Sequence, residues 1–235
     1  MKIIISPSKT YSLISKFNCP GQQPKYIKKT IEILAELKKL SKADLQKIMK
    51  IKENLLEQTI SNIDQYEQLE SNHAIAYYTG FVYKGLHLTT YTKEMIDYLK
   101  NNLQILSAFY GSLSPFDLVR PYRLDMTMKL PNISLSTHWS DLLSKELEKE
   151  QIINLASTEF SQLIKLPMIT IVFLENKNGV YKNISTYSKQ ARGYLLDYMI
   201  KHQINNPDKI KHFNLSGYSY NDSMSDGSKF VFTRG

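Results

Sequence analysis

The sequence predicts an α+β (mixed α/β) fold, a single compact domain over residues 1–235 with a mixed sheet, surrounding helices and a helix-hairpin-helix-like element. Its 235 residues are 42% hydrophobic, which is enough to build one large core. Stretches with apolar residues at helical spacing are mixed with short β-branched runs, in no strict β-α-β order. No internal repeat divides the chain. With 9 Gly and 8 Pro, the composition is not that of a linker-rich or disordered protein.

The first 70 residues predict one strand followed by amphipathic helices. Residues 2–5 form a β-branched run that stops before Pro7, which is typical of a buried strand. A loop containing Asn, Gly and Pro follows over 18–24, and apolar residues at helical spacing predict a helix over 26–40. Ser41 and Asp44 match the S-x-x-D pattern of a capping box, so a second helix begins there.

The rest of the chain mixes strands with two longer helices. Thr92 is a good N-cap for a helix over 93–100, and a second amphipathic helix covers 188–203. Short apolar runs predict strands over 103–106, 152–155, 168–174, 180–184, 213–220 and 229–232. The turn-forming pair Asn178-Gly179 makes the third and fourth of these strands a hairpin.

The segment 110–126 is the richest in local signals. Ser114 can cap a short helix with Pro115 at its first position and Asp117 reaching back, and Pro121 would end that helix. The preceding turn contains Gly111 and Ser112, whose backbone N–H groups, with that of Ser114, could face a phosphate. Helix-hairpin-helix elements bind the DNA backbone in this way. The alternative is a rigid surface turn with no ligand.

The charge balance favours an anionic partner. The chain has 30 Lys+Arg against 22 Asp+Glu, a net charge of +8, which suits nucleic acid, acidic lipid or a phosphorylated small molecule. Excess lysine can also be plain solvated surface. The arginines are more informative, because a chain with 26 Lys and 4 Arg retains arginine where a planar, bidentate fork matters. They are Arg120, Arg123, Arg192 and Arg234.

Several classes of protein are disfavoured. No apolar run reaches the roughly 18 residues that span a membrane, and the N-terminal run is too short for a signal peptide. The single Cys19 cannot form an intrachain disulfide, and the five histidines never pair at i, i+4. We therefore expect a cytoplasmic protein, monomeric, with no membrane partner, no metal and no required cofactor.

A set of polar residues is the candidate binding site. Lys189 and Arg192 project from one face of their helix, and Glu159 follows the 152–155 strand, where ligand-facing residues cluster in α/β sheets. Lys9, Arg123, Lys189 and Arg192 would attract and grip phosphate, and the supporting polar network is Asp117, Asn154, Ser157 and Glu159. Two alternatives remain open: Asp117 and Glu159 could neutralise these cations in buried ion pairs, or the cluster could be catalytic.

Seven motifs in order resemble those of one known family. They are Ile5-Ser6-Pro7-Ser8-Lys9-Thr10, Val82-Tyr83-x-Gly85-Leu86, Tyr110-Gly111 through Pro121-Tyr122-Arg123-Leu124-x-Met126, Trp139-x-Asp141, 153–160, Lys189-x-Ala191-Arg192-Gly193, and Gly217-Tyr218 with Phe230-Val231-Phe232-x-Arg234. Together they resemble the YaaA family of bacterial peroxide-stress proteins. The resemblance implies a protein that limits oxidative damage and free intracellular iron. It also implies one domain with a helix-hairpin-helix-like element and a positively charged cleft suited to DNA.

Two departures from the family pattern weaken an enzymatic interpretation. Phe81 stands in Thr79-Gly80-Phe81-Val82-Tyr83 where many members have Asp, and Thr158 stands where Asp is common. The leading hypothesis is therefore sequence-independent binding of DNA. The alternative is an enzyme acting on a nucleotide or other phosphorylated small molecule in the same cleft, with Glu159 or Asp117 as general base. Direct iron sequestration is a third hypothesis, without the E-x-x-H pairs of ferritin-like proteins. A long open groove would favour DNA, and a closed pocket of roughly 300–1,000 Å³ a small ligand.

Overall fold

The computed structural model describes residues 1–14 and 19–235. The strands are β1 Lys2–Ile5, β2 Asn72–His73, β3 Leu103–Ser107, β4 Gly111–Leu113, β5 Leu118–Val119, β6 Ile152–Asn154, β7 Ile169–Lys177, β8 Val180–Lys182, β9 Ser219–Tyr220 and β10 Lys229–Arg234. The α-helices are α1 Ile27–Lys38, α2 Lys42–Met49, α3 Glu53–Asp64, α4 Ala74–Tyr77, α5 Phe81–Lys84, α6 Lys93–Asn102, α7 Leu135–Leu147, α8 Thr158–Ser161 and α9 Ser185–Lys201. Short 3₁₀ segments cover Tyr66–Gln68, Leu88–Thr90, Pro207–His212 and Asp222–Met224.

A mixed eight-stranded sheet forms the centre of the protein. Its order is β4-β3-β1-β6-β7-β10-β9, with β8 paired to β7. The strands β3, β1, β6, β7 and β10 run parallel, whereas β4, β8 and β9 pair antiparallel. The carboxyl ends of the five parallel strands therefore share one edge of the sheet. This confirms the predicted α+β class with a mixed sheet and surrounding helices.

The strand order reverses beside β1, and this reversal positions the site. The chain leaves β1 to build β3 and β4 on one side, then returns to place β6 on the other side. The loops after β1 and β6 consequently diverge to opposite faces of the sheet and leave a crevice between them. In α/β sheets ligands bind at such a position, outside the carboxyl ends of the strands.

The core sits on both faces of β1. Ile3, Ile4 and Ile5 have no exposed surface, so the β-branched run identified in the sequence is the central strand. The helix α9 packs against β7 and α5, and glycines allow the last contact to be close: a Cβ on Gly193 would lie 2.2 Å from the carbonyl oxygen of Val82. Helix α5 is thereby fixed on the surface of α9.

Most predicted elements are confirmed, and the differences have physical causes. The Ser41–Asp44 capping box, the Thr92 cap and the hairpin at Asn178-Gly179 are all present. The predicted helix after Ser114 is wrong: Ser114 N donates to the Asp117 carboxylate at 2.9 Å, and this bond closes a turn that leads into β5. No residue of 114–134, a stretch that the structure describes throughout, is helical.

Two further elements differ from the predictions, and one prediction falls partly outside the described residues. The strand expected over 213–220 is reduced to β9, because the apolar Phe213 and Tyr218 are buried in loops. Helix α7 was not predicted, although Leu135, Trp139 and Leu143 have helical spacing behind the cap Ser134. The expected loop over 18–24 is described from residue 19 onward, and residue 18 lies outside the described part.

Candidate functional site

A cleft of about 850 Å³ opens at the carboxyl edge of the sheet, between the loops that follow β1 and β6. Four stretches line it, together with one face of α9: residues 6–10 after β1, 79–84 including α5, 122–125, and 157–160 including α8. Ser185, Lys189 and Arg192 contribute the face of α9. The cleft therefore occupies the crevice where the strand order reverses.

Serine hydrogen bonds connect the two sheet loops at the base of the cleft. Ser157 N donates to Ser6 Oγ at 2.7 Å, and the two serine Oγ atoms are 3.0 Å apart. Tyr83 OH donates to the Ser6 carbonyl oxygen at 2.8 Å, which ties α5 to the same loop. Asn154 is buried behind this contact and accepts from Ala156 N at 2.9 Å. Ser157 thus lines the cleft, whereas Asn154 lies outside its lining and shapes the turn after β6.

Arg123 and Arg192 enter the cleft with unsatisfied donors. Both side chains are largely buried, and the Nε atom of each is shielded from solvent and has no hydrogen-bond partner in the part of the chain that the structure describes. Burial lowers the pKa of the Arg192 guanidinium from its ordinary value. Neither arginine is in an ion pair with any carboxylate of the described residues. Asp117 and Glu159 therefore do not neutralise either arginine in a buried ion pair, whereas the charges of Lys9 and Lys189 do act on Glu159.

The remaining charges of the cleft are also predominantly positive. Lys9 Nζ contacts Asp125 Oδ2 at 2.7 Å, and Lys84 and Lys189 line the cleft as well. Burial raises the pKa of the Glu159 carboxyl, as does nearby Asp125, whereas Lys9 and Lys189 lower it. Counting charged lining residues gives five cationic and two acidic side chains, a net charge of +3. This arrangement favours an anionic ligand.

Aromatic side chains form the other wall and the floor of the cleft. They are Tyr77, Phe81, Tyr83, Tyr122 and Phe160. Tyr122 OH is fixed between Tyr78 OH and Ser107 Oγ, each at 2.8 Å. Tyr77 is 1% exposed, and burial raises the pKa of its hydroxyl above the ordinary value. A ligand with an apolar, flat part would therefore find contacts beside the cations.

The predicted phosphate-binding turn lies elsewhere. Gly111 and Ser112 are buried in β4, where Gly111 has φ +76° and a Cβ on it would lie 2.5 Å from the Trp139 ring. Asp117 holds the turn by accepting from Ser114 N and, at 2.7 Å, from Gln22 Nε2. Burial raises the pKa of Asp117 to about 6. None of these four residues lines the cleft. The prediction that Gly111, Ser112 and Ser114 contact DNA assumed exposed backbone N–H groups. Gly111 and Ser112 are buried, and Ser114 N is bonded to Asp117, so that contact stays a prediction.

The structure therefore brings together Lys9, Arg123, Ser157, Glu159, Lys189 and Arg192. The sequence interpretation missed the aromatic wall, and Phe81 is its clearest member. A signal for Phe81 existed, since an aromatic residue there replaces the carboxylate expected from the family pattern. Tyr77 carried no comparable signal, because its role depends on the fold that buries its hydroxyl.

Residues 1–14 and 19–235, which the structure describes, contain neither a cluster of metal-ligating side chains nor a membrane-spanning helix. No group of three or more His, Cys, Asp or Glu side chains is arranged to hold a metal ion. No helix is both long and apolar enough to cross a membrane.

Comparisons with known proteins give a consistent result. A family model described as peroxide stress protein YaaA matches residues 1–224. A UPF0246 protein of Fusobacterium nucleatum is 42% identical over 100% of this chain and 99% of its own length. UPF0246 proteins of Agathobacter rectalis and of Francisella tularensis subsp. novicida are 37% and 34% identical, again over 100% of this chain and 99% and 100% of their own lengths.

Proposed function

This chain belongs to the YaaA family of peroxide stress proteins, and we propose that it limits oxidative damage by binding DNA without sequence preference in the basic cleft. In this proposal the protein acts in the cytoplasm, as a monomer, and lowers the damage that peroxide and free intracellular iron cause. The bound part of the DNA is its sugar-phosphate backbone, which is the same in every sequence.

The observation that carries the proposal is the pair of unsatisfied arginines. A buried donor without a partner costs about 1–3 kcal/mol, so a fold does not retain two of them for stability. Phosphate oxygens are the acceptors that a guanidinium fork fits best, in a bidentate geometry. Arg123 and Arg192 line one cleft, and both lack an acceptor at Nε among the described residues. A phosphate group in the cleft would meet two guanidinium groups whose charge is not balanced by a carboxylate of the described residues.

The surroundings support an anionic ligand at the same place. Lys9 and Lys189 add flexible point charges at the mouth, where both side chains are exposed. Charges in this position attract phosphate from a distance and release counterions on contact. The crevice at the strand reversal is also where α/β sheets bind phosphorylated ligands.

The volume of the cleft favours a second candidate. About 850 Å³ lies within the range of roughly 300–1,000 Å³ that is typical of small-molecule sites. The protein would then be an enzyme acting on a nucleotide or other phosphorylated small molecule. Glu159 is the candidate general base, since burial raises the pKa of its carboxyl toward neutrality. Both candidates use the same arginine contacts, so the length of the ligand distinguishes them.

A salt series tests the proposal. Fluorescence anisotropy with two labelled duplexes of unrelated sequence should give similar affinities, which fall steeply as salt rises. Lys189→Ala removes one cleft cation and should make the slope of log K against log salt shallower by about 1. Lys209→Ala removes an exposed lysine outside the cleft and serves as the control. Absence of binding at about 50 mM salt would contradict DNA binding, and binding of a nucleotide but no duplex would favour the second candidate.

A further inference from the structure

We propose that the cleft takes a single unpaired nucleotide, with its base stacked on Phe81 and its phosphate held by Arg123 and Arg192. This inference rests on the proposed function and adds the class of ligand. The nucleotide can come from an unpaired position in DNA or from the free nucleotide pool, because both present the same base and phosphate.

The exposure of Phe81 is the first observation. Its side chain is 41% exposed although it is a large apolar group, and it lies in the cleft wall. The other large apolar side chains of the described residues with comparable exposure lie outside the cleft. Lys84 Nζ is 5.6 Å from the centre of the Phe81 ring, so a cation accompanies the aromatic face. An open ring beside cations is the arrangement on which nucleic-acid bases stack.

The backbone holds this ring in place. Helix α5 packs closely against α9, because Gly85 and Gly193 bring the two backbones into contact: a Cβ on Gly85 would lie 2.7 Å from the Gly193 carbonyl carbon. Arg192 is the residue before Gly193, so the stacking surface and one guanidinium are fixed to the same junction. Binding a base there would require little ordering of the protein, which favours affinity.

The size of the cleft distinguishes one nucleotide from a duplex. A volume of about 850 Å³ accommodates a ligand of nucleotide size but not a base-paired helix. A paired duplex could present its backbone phosphates to the cleft but could not place a base inside it. Extruding a nucleotide costs a few kcal/mol in a paired duplex and least where the base is already unpaired. DNA with an unpaired nucleotide should therefore bind more tightly than the same DNA fully paired.

Three duplexes that differ at one position test the inference. The first is fully paired, the second has one extra unpaired adenosine, and the third has an abasic residue in place of that adenosine. The unpaired adenosine should raise the affinity about tenfold over the paired duplex, in line with the stacking of one base on an aromatic ring. The abasic duplex should lose this gain because it has the phosphate and no base.

Two aromatic variants assign the gain to Phe81. Phe81→Ala should abolish the ratio of affinities between the unpaired and the paired duplex. Tyr181→Ala removes a similarly exposed ring, 38% exposed on β8 and outside the cleft, and should keep the ratio. With 2-aminopurine at the unpaired position, stacking should quench its fluorescence in the wild type and much less in Phe81→Ala. Titration with dAMP measures the free-nucleotide source in both proteins.

The outcomes separate the inference from the proposed function. Equal affinity for the three duplexes, together with no binding of dAMP, would overturn the inference and leave DNA binding intact. Binding of dAMP that weakens in Phe81→Ala, without a preference among the duplexes, would support the nucleotide site with the free nucleotide as its source. A ratio that survives in Phe81→Ala would overturn the role of Phe81. Failure of every duplex to bind would contradict the proposed function itself.

Discussion

The four arginines of the chain fall into two pairs whose surroundings differ. At the end of β10, Arg234 Nε donates to Glu175 Oε2 at 2.7 Å and Arg234 Nη1 to the Ser216 carbonyl oxygen at 3.1 Å. Arg120 Nε donates to the Leu69 carbonyl oxygen at 3.1 Å. In the cleft, by contrast, the Nε atoms of Arg123 and Arg192 have no partner among the described residues.

Hydrogen-bonded Nε atoms mark Arg120 and Arg234 as residues that stabilise the fold, whereas the unpaired Nε atoms of Arg123 and Arg192 point to ligand binding. Arg234 is surrounded by what a guanidinium needs: the carboxylate of Glu175, which also accepts from Tyr218 OH, and the faces of the Tyr187 and Tyr218 rings. The pKa of Arg234 is raised by its hydrogen bond to Glu175, whereas burial lowers that of Arg192. The same residue type is therefore stabilised at one site and destabilised at the other.

The largest expected effect is on stability, at the satisfied site. Arg234→Met keeps the aliphatic volume but leaves Glu175, which is 8% exposed, without its cation. We expect the free energy of unfolding to fall by about 2 kcal/mol, because a charge-assisted hydrogen bond to a mostly buried carboxylate is removed. Urea unfolding measures the change. Binding of duplex DNA should stay as in the wild type, since Arg234 lies outside the cleft; a variant as stable as the wild type would break the comparison.

The same substitution in the cleft should change the free energy of unfolding in the opposite direction. Arg192→Met removes a buried donor that has no partner, so the free energy of unfolding should rise by about 1 kcal/mol. Affinity for duplex DNA should fall at least about tenfold, as a charge-assisted fork is lost. Urea unfolding and anisotropy on the same preparation check both. A loss of stability comparable to that of Arg234→Met would mean that Arg192 is a structural residue.

A smaller effect concerns pH. The pKa of Glu159 is raised above its ordinary value of 4.5, first by burial and then by Asp125. Above the raised pKa the carboxylate opposes a bound phosphate, and as pH falls through it the opposing charge is lost. Affinity for duplex DNA should thus increase between pH 8 and pH 5, and Glu159→Gln should bind about threefold tighter at pH 8 with a flatter profile.

A matched variant controls that measurement. Glu148→Gln changes the same charge at an exposed position outside the cleft. It should retain the wild-type affinity and pH profile, because exposed charges at a distance are largely screened by salt. Equal behaviour of the two glutamine variants would show that Glu159 does not face the ligand.

The sequence predicted the central strand, and it singled out the two cleft arginines as candidates, for reasons that are local. The β-branched run at 2–5 favours a buried strand in any fold, and it is buried here. Arg123 and Arg192 stood out because the chain has only 4 arginines beside 26 lysines. The segment around Ser114 failed because its capping pattern also fits a turn, and only the pairing of β4 with β3 decides between them. Tyr77 could not be identified, because the burial of its hydroxyl depends on packing between distant segments. The departure from the family pattern at Phe81 was visible, but the exposure of its ring in a cleft also depends on that packing.

The most direct test of the account is the substitution Arg123→Lys, which keeps the charge and removes the fork. Duplex affinity by anisotropy and the midpoint of thermal unfolding are measured on this variant and on Arg120→Lys, the same change outside the cleft. We predict that Arg123→Lys weakens binding about tenfold without lowering the midpoint, whereas Arg120→Lys lowers the midpoint and leaves binding unchanged. Wild-type binding by Arg123→Lys would contradict the claim that this arginine awaits a phosphate.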